Sequence, residues 1–427
     1  MEKYKYVIIG NSAAAVGAIE GIRVNDRDGS ILSISEEPRW AYSRPLISYY
    51  LNDEAVEKRM GFRGEAFYHG KKVDCLLGIK VITADLSART LKLSNKESVG
   101  YEKLLIAVGG KPIVPEIKGS NKAGVMTFTT YADAQKLRKG ITSRKNRRVV
   151  ILGGGLIGLK AAEGLIEAGV KVTIVELAKH CLAPVLDETS ARMVEKVFVD
   201  KGCNLYLGRT IKEIKGKNKV IGVALDDGTN LSADFVILAI GVRPRLELFE
   251  KSKELKTNRG VVVDKHLKTS VENVYAAGDV AEVYDFVIDG YRPVLIWPNA
   301  YYGGKVAGIN MSGGDKEYTW ATGMNAADFF GLATVSAGMI RVPENNPQEY
   351  EVITHHVPEK QVYKKFILKN GIVTGMIIIN EIEPSGVILG LMRDKMDLSA
   401  VKDKLVLSDF GLAYLPEEVR KAKVNKQ

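Results

Sequence analysis

Sulfur and imidazole are scarce in this chain: three cysteines, Cys75, Cys181 and Cys203, and five histidines stand among 427 residues. None of the cysteines lies in a Cys-x-x-Cys or metal-finger spacing, which excludes a dithiol motif and a zinc ribbon and leaves all three as expected buried structural thiols. No metal site is expected; His355 and His356 adjoin in a polar stretch and are read as a solvated loop. Long apolar runs are missing too. The longest, such as residues 236–242 and 375–379, are strand-sized and far short of the roughly 20 residues that cross a bilayer, so no membrane association is expected. The chain enters an apolar strand at Tyr6, Val7, Ile8 and Ile9 without a cleavable apolar region ahead of it, and a cytoplasmic location is expected. No arginine-rich or aromatic-interleaved stretch speaks for nucleic acid.

What is present is a well-filled globular composition, 46% hydrophobic, over a length that one hydrophobic core does not serve, so two or three domains are expected. A formal charge of +10 suits an acidic partner, although a solvated basic surface would have the same charge. Short β-branched strands alternate with amphipathic helices, the pattern of an α/β domain around a parallel sheet. A second unit of the same kind begins at Arg147. From about Tyr318 the pattern changes to hairpin-like pieces at 349–354, 362–368 and 371–379 and helical pieces at 385–392 and 398–404, read as a separate α+β domain. The lysine-rich residues 420–427 are expected to fray.

Two strand-turn-helix segments carry the chemistry. In the stronger, the apolar run 149–152 leads into Gly153-Gly154-Gly155-Leu156-Ile157-Gly158. Gly153 permits a tight turn, Gly155 lets backbone approach a pyrophosphate, and Gly158 allows the helix to pack closely on the strand, with the helix N terminus facing the phosphate charge. The next strand ends at Glu176, placed for a carboxylate to hydrogen-bond a ribose 2′-hydroxyl and repel a 2′-phosphate, so NADH is expected over NADPH. Lys179 and His180 beside it argue in the other direction. The first segment, residues 6–9 followed by Gly10-Asn11-Ser12-Ala13-Ala14-Ala15, is degenerate: Ser12 and Ala15 replace the second and third glycines but are small enough to keep the turn. Its following strand ends at Ser35-Glu36-Glu37, and Glu36 is the favoured ribose ligand, with Glu37 the alternative.

Two such cradles in one chain resemble the FAD- and NAD-dependent pyridine nucleotide-disulfide oxidoreductase superfamily. Further stretches agree: residues 101–110, with Ala107, Val108 and Gly109, are similar to the return strand of its FAD domain, residues 236–244, with Gly241, to the counterpart at the end of its NAD domain, and residues 274–279, with Gly278 and Asp279, to its second FAD fingerprint. The resemblance covers essentially the whole chain. It implies two Rossmann-like dinucleotide-binding domains of glutathione-reductase type plus a C-terminal α+β domain: FAD domain at 1–112 and 243–317, NAD domain at 113–242, and C-terminal domain at 318–427, opening at Phe329, Phe330 and Leu332. It assigns FAD to the first cradle and NADH to the second. Residues 42–48 and 297–300 resemble the branch of rubredoxin reductases, ferredoxin reductases and the flavoprotein part of nitrite reductase. That match puts Arg44 and Pro45 against the flavin, Val81 near the adenine, and Trp297 at a helix start aimed at the flavin, with a core aromatic the alternative reading of Trp297, and it allows a homodimer through the C-terminal domain.

Departures from the family shape the expected chemistry. No cysteine stands between Glu36 and Leu51, where the resemblance places the thiols of its disulfide reductases, peroxidases and oxidases. A flavin that takes hydride as two electrons and releases electrons singly then suits a small iron or iron–sulfur carrier. Tyr49 and Lys160 occupy positions that the family often fills with a lysine and a glutamate near the flavin N5. Lys160 is expected to supply the positive charge or contact the nicotinamide, with Tyr49 filling the vacated space; a solvent-facing helix lysine is the plain alternative. The expected function is an FAD-dependent NADH oxidoreductase passing electrons to a small acidic carrier. An oxygen-reducing NADH oxidase, or an NADH-sensing interaction protein resembling apoptosis-inducing factor, is the alternative.

Overall fold

The computed structural model describes residues 1–143, 146–417 and 420–421. It divides into two compact units, one of Met1–Ile113, Thr127–Thr142 and Gly241–Ala321, the other of Val114–Met126, Ser143–Ile240 and the segment from Thr322 onward. Tyr131–Thr142, expected with the second cradle, lies in the first unit instead. The reason is aromatic: Tyr131 is buried edge-on against Tyr42 and Tyr50, with the Arg39 guanidinium 3.8 Å from its ring centre. The C-terminal sheet, expected to stand apart, shares a unit with the second cradle.

In the first unit a seven-stranded sheet runs in the order Val73–Leu77, Ile31–Ser35, Glu2–Ile9, Ser98–Ile106, Thr90–Leu93, Val81–Asp85, with Val274–Ala276 also paired to Ser98–Ile106. Glu2–Ile9 lies parallel to both neighbours, Tyr6 opposite Ile31 on one side and Lys103 on the other. At the centre of the sheet residues 6–9 and 104–106 are buried on both faces and read as continuous apolar runs, whereas Val81–Asp85 and Thr90–Leu93, towards one edge, are partly exposed. The helix Ala13–Asn25 covers the sheet and meets the helix Trp297–Met311 at backbone distance. A Cβ on Gly17 or Gly21 would fall 2.1 or 2.2 Å from the carbonyl oxygens of Tyr301 and Lys305, and a Cβ on Gly304 or Gly308 would fall 2.0 or 2.2 Å from those of Ala14 and Ala18. Only glycine at these positions allows the approach.

In the second unit a five-stranded sheet runs Asn204–Leu207, Lys171–Glu176, Arg148–Leu152, Phe235–Leu238, Val125–Thr127, and a five-stranded antiparallel sheet runs Met324–Phe329, Leu332–Gly338, Ile372–Ile379, Val362–Lys369, Tyr350–Val357. The hairpin pieces expected after 349 are these last strands, and the expected helix at 385–392 is Ser385–Arg393. Two expectations fail here. His355 and His356 lie in the strand Tyr350–Val357, because its pairing runs on to Val357 opposite Val362. Residues 398–404 form successive tight turns, with Val401 N–H bonded to Leu398 O and Lys404 N–H to Val401 O, ending in a 3-10 turn at Lys402–Lys404. Lys364, 1% exposed, anchors that segment by donating to Val406 O at 2.9 Å and to Glu381 at 2.8 Å, a pairing that a buried ammonium requires. Of the segment expected to fray, residues 422–427 lie outside the described ones. Among the described residues no helix is long and apolar enough to cross a membrane, and no cluster of three metal-ligating side chains forms.

Candidate functional site: two dinucleotide cradles

In the first cradle Gly10 has φ +133°, and a Cβ there would fall 2.2 Å from the carbonyl oxygen of Ala107. Ser12 caps the helix Ala13–Asn25 in extended conformation but makes no side-chain bond to it, and no acidic residue stands in the first turn. The N–H groups of Ala13 and Ala14 are therefore directed at whatever anion lies beyond the helix end. Asn11 is already engaged, donating to Arg39 O and accepting from Tyr68 at 2.6 Å, so its side chain braces the turn.

The turn after Val274–Ala276 reaches the same place. A Cβ on Gly278, φ +78°, would fall 3.1 Å from the Ala14 Cβ and 3.5 Å from that of Ala300, which brings together both helix starts and Asp279. Burial pushes the Asp279 carboxyl up to about 6, opposed by the Arg44 guanidinium. Arg44 is itself held by an ion pair to Glu37 and by bonds to Tyr42 Oη at 3.2 Å and Thr129 O at 3.1 Å, while Pro45 sets the 3-10 turn Arg44–Ile47. Glu37, which also accepts from Tyr42 at 2.8 Å, is thus committed; Glu36 is exposed between Arg245 at 3.1 Å and Lys80 at 3.4 Å. Trp297 opens the helix Trp297–Met311 with no acidic neighbour in its first turn, and its Nε1 is buried with no partner among the described residues. Val81 is buried at the start of its strand, opposite Leu93. Ala107 N–H bonds Ile9 O, Gly109 has φ +68°, and Gly241, φ +113°, accepts from Ile113 N–H. Tyr49, 40% exposed, lies in the 3-10 turn Tyr49–Leu51.

The second cradle repeats the first. Gly153 has φ +113°, with a Cβ position 2.4 Å from Ala239 O, and a Cβ on Gly158 would fall 2.0 Å from Gly153 O. At Gly155 nothing lies within 4 Å of the missing side chain, so the close-approach glycine faces open space before the helix that begins Leu156-Ile157. Glu176 accepts from Gly154 N–H at 2.5 Å and Ala178 N–H at 2.7 Å, which holds its carboxylate at the rim. His180, weighed above as a contact for a 2′-phosphate, is buried between Cys181 O and Arg341, while Lys179 is exposed.

Lys160 is not the solvent-facing lysine of the plain reading. Its side chain is 18% exposed, ion-paired to Glu163, and bonded to Asp328 O at 3.1 Å. Glu163, 5% exposed, also accepts from Phe330 N–H at 2.8 Å. Sequence reading missed Glu163; a carboxylate three residues after a lysine on a mostly apolar helix was the available signal. It also missed Arg341, Tyr363 and Lys365, which no local pattern marks. Cys75 is half-buried, Cys181 and Cys203 are buried, and burial pushes the thiols of Cys75 and Cys203 up to about 12.

Both cradles thus fit a dinucleotide: two open helix ends, a Cβ-free approach at Gly155, a rim carboxylate at Glu176 held by two backbone N–H groups, and at Trp297 a buried indole N–H with no partner among the described residues. Comparison with known proteins agrees. The family described as pyridine nucleotide-disulphide oxidoreductase matches residues 4–304, and the rubredoxin NAD+ reductase C-terminal domain matches residues 324–396. NADH-dependent phenylglyoxylate dehydrogenase subunit epsilon of Aromatoleum evansii is 33% identical over 96% of this chain and 97% of that one. The assimilatory nitrate reductase electron transfer subunit of Bacillus subtilis is 28% identical over 95% of this chain; the chain spans about half, 51%, of that relative's length. A solved NAD-dependent persulfide reductase from A. fulgidus is similar with TM-score 0.85 and 26% identity, over 99% of this chain and 83% of that one. The chain belongs to the pyridine nucleotide-disulphide oxidoreductase family, and with it to the FAD-dependent oxidoreductases of NAD(P)H.

Proposed function

We propose that the protein carries electrons from NADH to a small acidic iron or iron–sulfur carrier of rubredoxin or ferredoxin type, with no thiol relay. The observation that carries this reading is the segment from Glu36 to Leu51: it contains no cysteine, and in place of a thiol it sets the Glu37–Tyr42–Arg44 network beside Asp279. Bound FAD would supply the two-electron acceptor and one-electron donor. The chain's own part is positioning and electrostatics. Gly10, Ser12, Ala13 and Ala14 cradle the FAD pyrophosphate, with Glu36 at the ribose and Val81 at the adenine. Arg44, Pro45, Asp279 and the N-terminal end of the Trp297 helix address the flavin, that helix end favouring negative charge. Gly155 and Glu176 hold NADH. Lys160, held by Glu163, would serve the nicotinamide and Tyr49 the flavin, and no side chain is required to move a proton. The C-terminal match to rubredoxin NAD+ reductases supports the choice of carrier.

Anaerobic titration of the FAD-loaded protein with NADH, followed by purified rubredoxin, ferredoxin and cytochrome c, tests this. Stoichiometric flavin bleaching and rapid carrier reduction are expected; electrons passing only to oxygen would establish an NADH oxidase instead. In the same stopped-flow experiment Lys160→Ala slows flavin reduction, and an unchanged rate removes Lys160 from the site. A second reading follows from the match to a named subunit over nearly the whole of both chains: the electron partner is a neighbouring subunit of a larger oxidoreductase. Its test is a stable complex surviving purification of the protein from its native source.

A further inference from the structure

We propose that the C-terminal sheet is a working part of the coenzyme site: Arg341, Tyr363 and Lys365 clasp the loop of residues 177–187, fix the backbone that presents Glu176, and so set NADH affinity and its preference over NADPH. This rests on reading the second cradle as the NADH site.

The loop meets the cradle at Gly154. Its N–H donates to Glu176, its carbonyl accepts from Leu182 N–H at 2.9 Å, and a Cβ on it would meet Cys181 Sγ at 2.8 Å. Leu182 is buried with φ +55°, a left-handed conformation that a leucine keeps only where its surroundings impose it. The loop is held at two points. Arg341 donates to His180 Nε2 at 3.1 Å and to Ala183 O at 3.2 Å, while His180 Nδ1 lies 2.9 Å from Cys181 O. The tautomer assigned by this network has Nδ1–H donating and Nε2 accepting. At the other end Asp187 caps the helix Glu188–Asp200 through Ser190 N–H and also accepts from Tyr363 Oη at 2.6 Å and Lys365 Nζ at 3.0 Å. Lys365 in turn donates to Ile340 O, beside Arg341. Burial works to raise the Asp187 carboxyl, but the bonds from Tyr363, Ser190 and Lys365 outweigh it and hold it below the usual range. With His180 held by Arg341, it is withdrawn from any 2′-phosphate, and Glu176 opposes that phosphate directly.

The test uses the FAD-loaded full chain carrying Arg341→Ala or the pair Tyr363→Phe and Lys365→Met. Calorimetry with ADP-ribose should show affinity lowered about ten-fold, equivalent to roughly 1.4 kcal/mol. Flavin reduction at saturating NADH should stay within about two-fold, the NADH-to-NADPH ratio of kcat/KM should fall in Arg341→Ala, and hydrogen exchange at the Leu182 amide should accelerate. Arg341→Lys should recover most of the affinity. If the double variant fails to fold, Arg341→Ala decides alone. ADP-ribose affinity and coenzyme ratio both unchanged while Leu182 exchange accelerates would overturn the clasp. A wild-type protein that binds no ADP-ribose would instead overturn the coenzyme reading beneath it.

Discussion

Asp279 illustrates how a single side chain carries a pH signature. Its carboxyl is raised to about 6 by burial, with Arg44 opposing, so the folded protein binds this proton more tightly than the unfolded chain does. A raised acid lowers stability as pH climbs from the unfolded value through the folded one, here from about 4 to about 6, and the loss is complete above that window. In protein freed of FAD, Asp279→Asn should therefore match the wild type near pH 4 and exceed it at pH 7 by up to about 3 kcal/mol. Paired melts across this range check the sign, and parallel curves would remove the effect. The same substitution should weaken FAD retention. At this scale the sequence was partly legible. The place of Glu176 at the end of the strand after its glycines was readable, because that spacing is set by one helix and one strand. The different surroundings of Glu36 and Glu37 were not, since their ion pairs come from Arg44, Arg245 and Lys80.

Among elements, the crossing of Ala13–Asn25 with Trp297–Met311 matters most, because both helices start at the first cradle. Gly304 lies with its missing Cβ 2.0 Å from Ala14 O, whereas a Cβ on Gly303 would make ordinary contacts with the Tyr318 ring at 3.6 Å and Leu267 Cδ1 at 3.7 Å. Gly304→Ala must push the helices apart, costing about 1–3 kcal/mol and loosening FAD. Gly303→Ala should be near neutral, or mildly stabilising because alanine is the better helix former. Thermal melts and bound-FAD ratios of the two variants separate a packing requirement from a general loss of glycine. The first helix was legible from its strand-turn-helix pattern, and the start of the second from the family resemblance of residues 297–300. That their glycines face each other was not, because a mid-helix glycine looks in sequence like a weak helix position rather than a contact. The turns at 398–404 were misread as helix for a related reason: their apolar spacing is met by Leu398 and Leu405 reaching a core that only the folded sheet provides.

On the scale of the molecule, a formal charge of +10 predicts association with an acidic carrier that weakens with ionic strength. Second-order carrier reduction should fall by about ten-fold or more between 0.05 and 0.5 M salt, while flavin reduction by saturating NADH stays level; salt-independent carrier reduction would remove the electrostatic docking argument. The order of the two cradles and the C-terminal sheet along the chain was plain from the sequence, as was the lack of a cysteine between Glu36 and Leu51. These depend on local rules: glycine where φ is positive, a carboxylate one strand further on, apolar runs of strand length. Only the tertiary structure decided that Tyr131–Thr142 joins the first unit, that Lys160 is paired with Glu163 against Asp328, 168 residues away, and that the C-terminal sheet grips the loop behind Glu176. The first rests on an aromatic cluster and the others on polar groups that meet across long stretches of chain; no local pattern says which partner each will find.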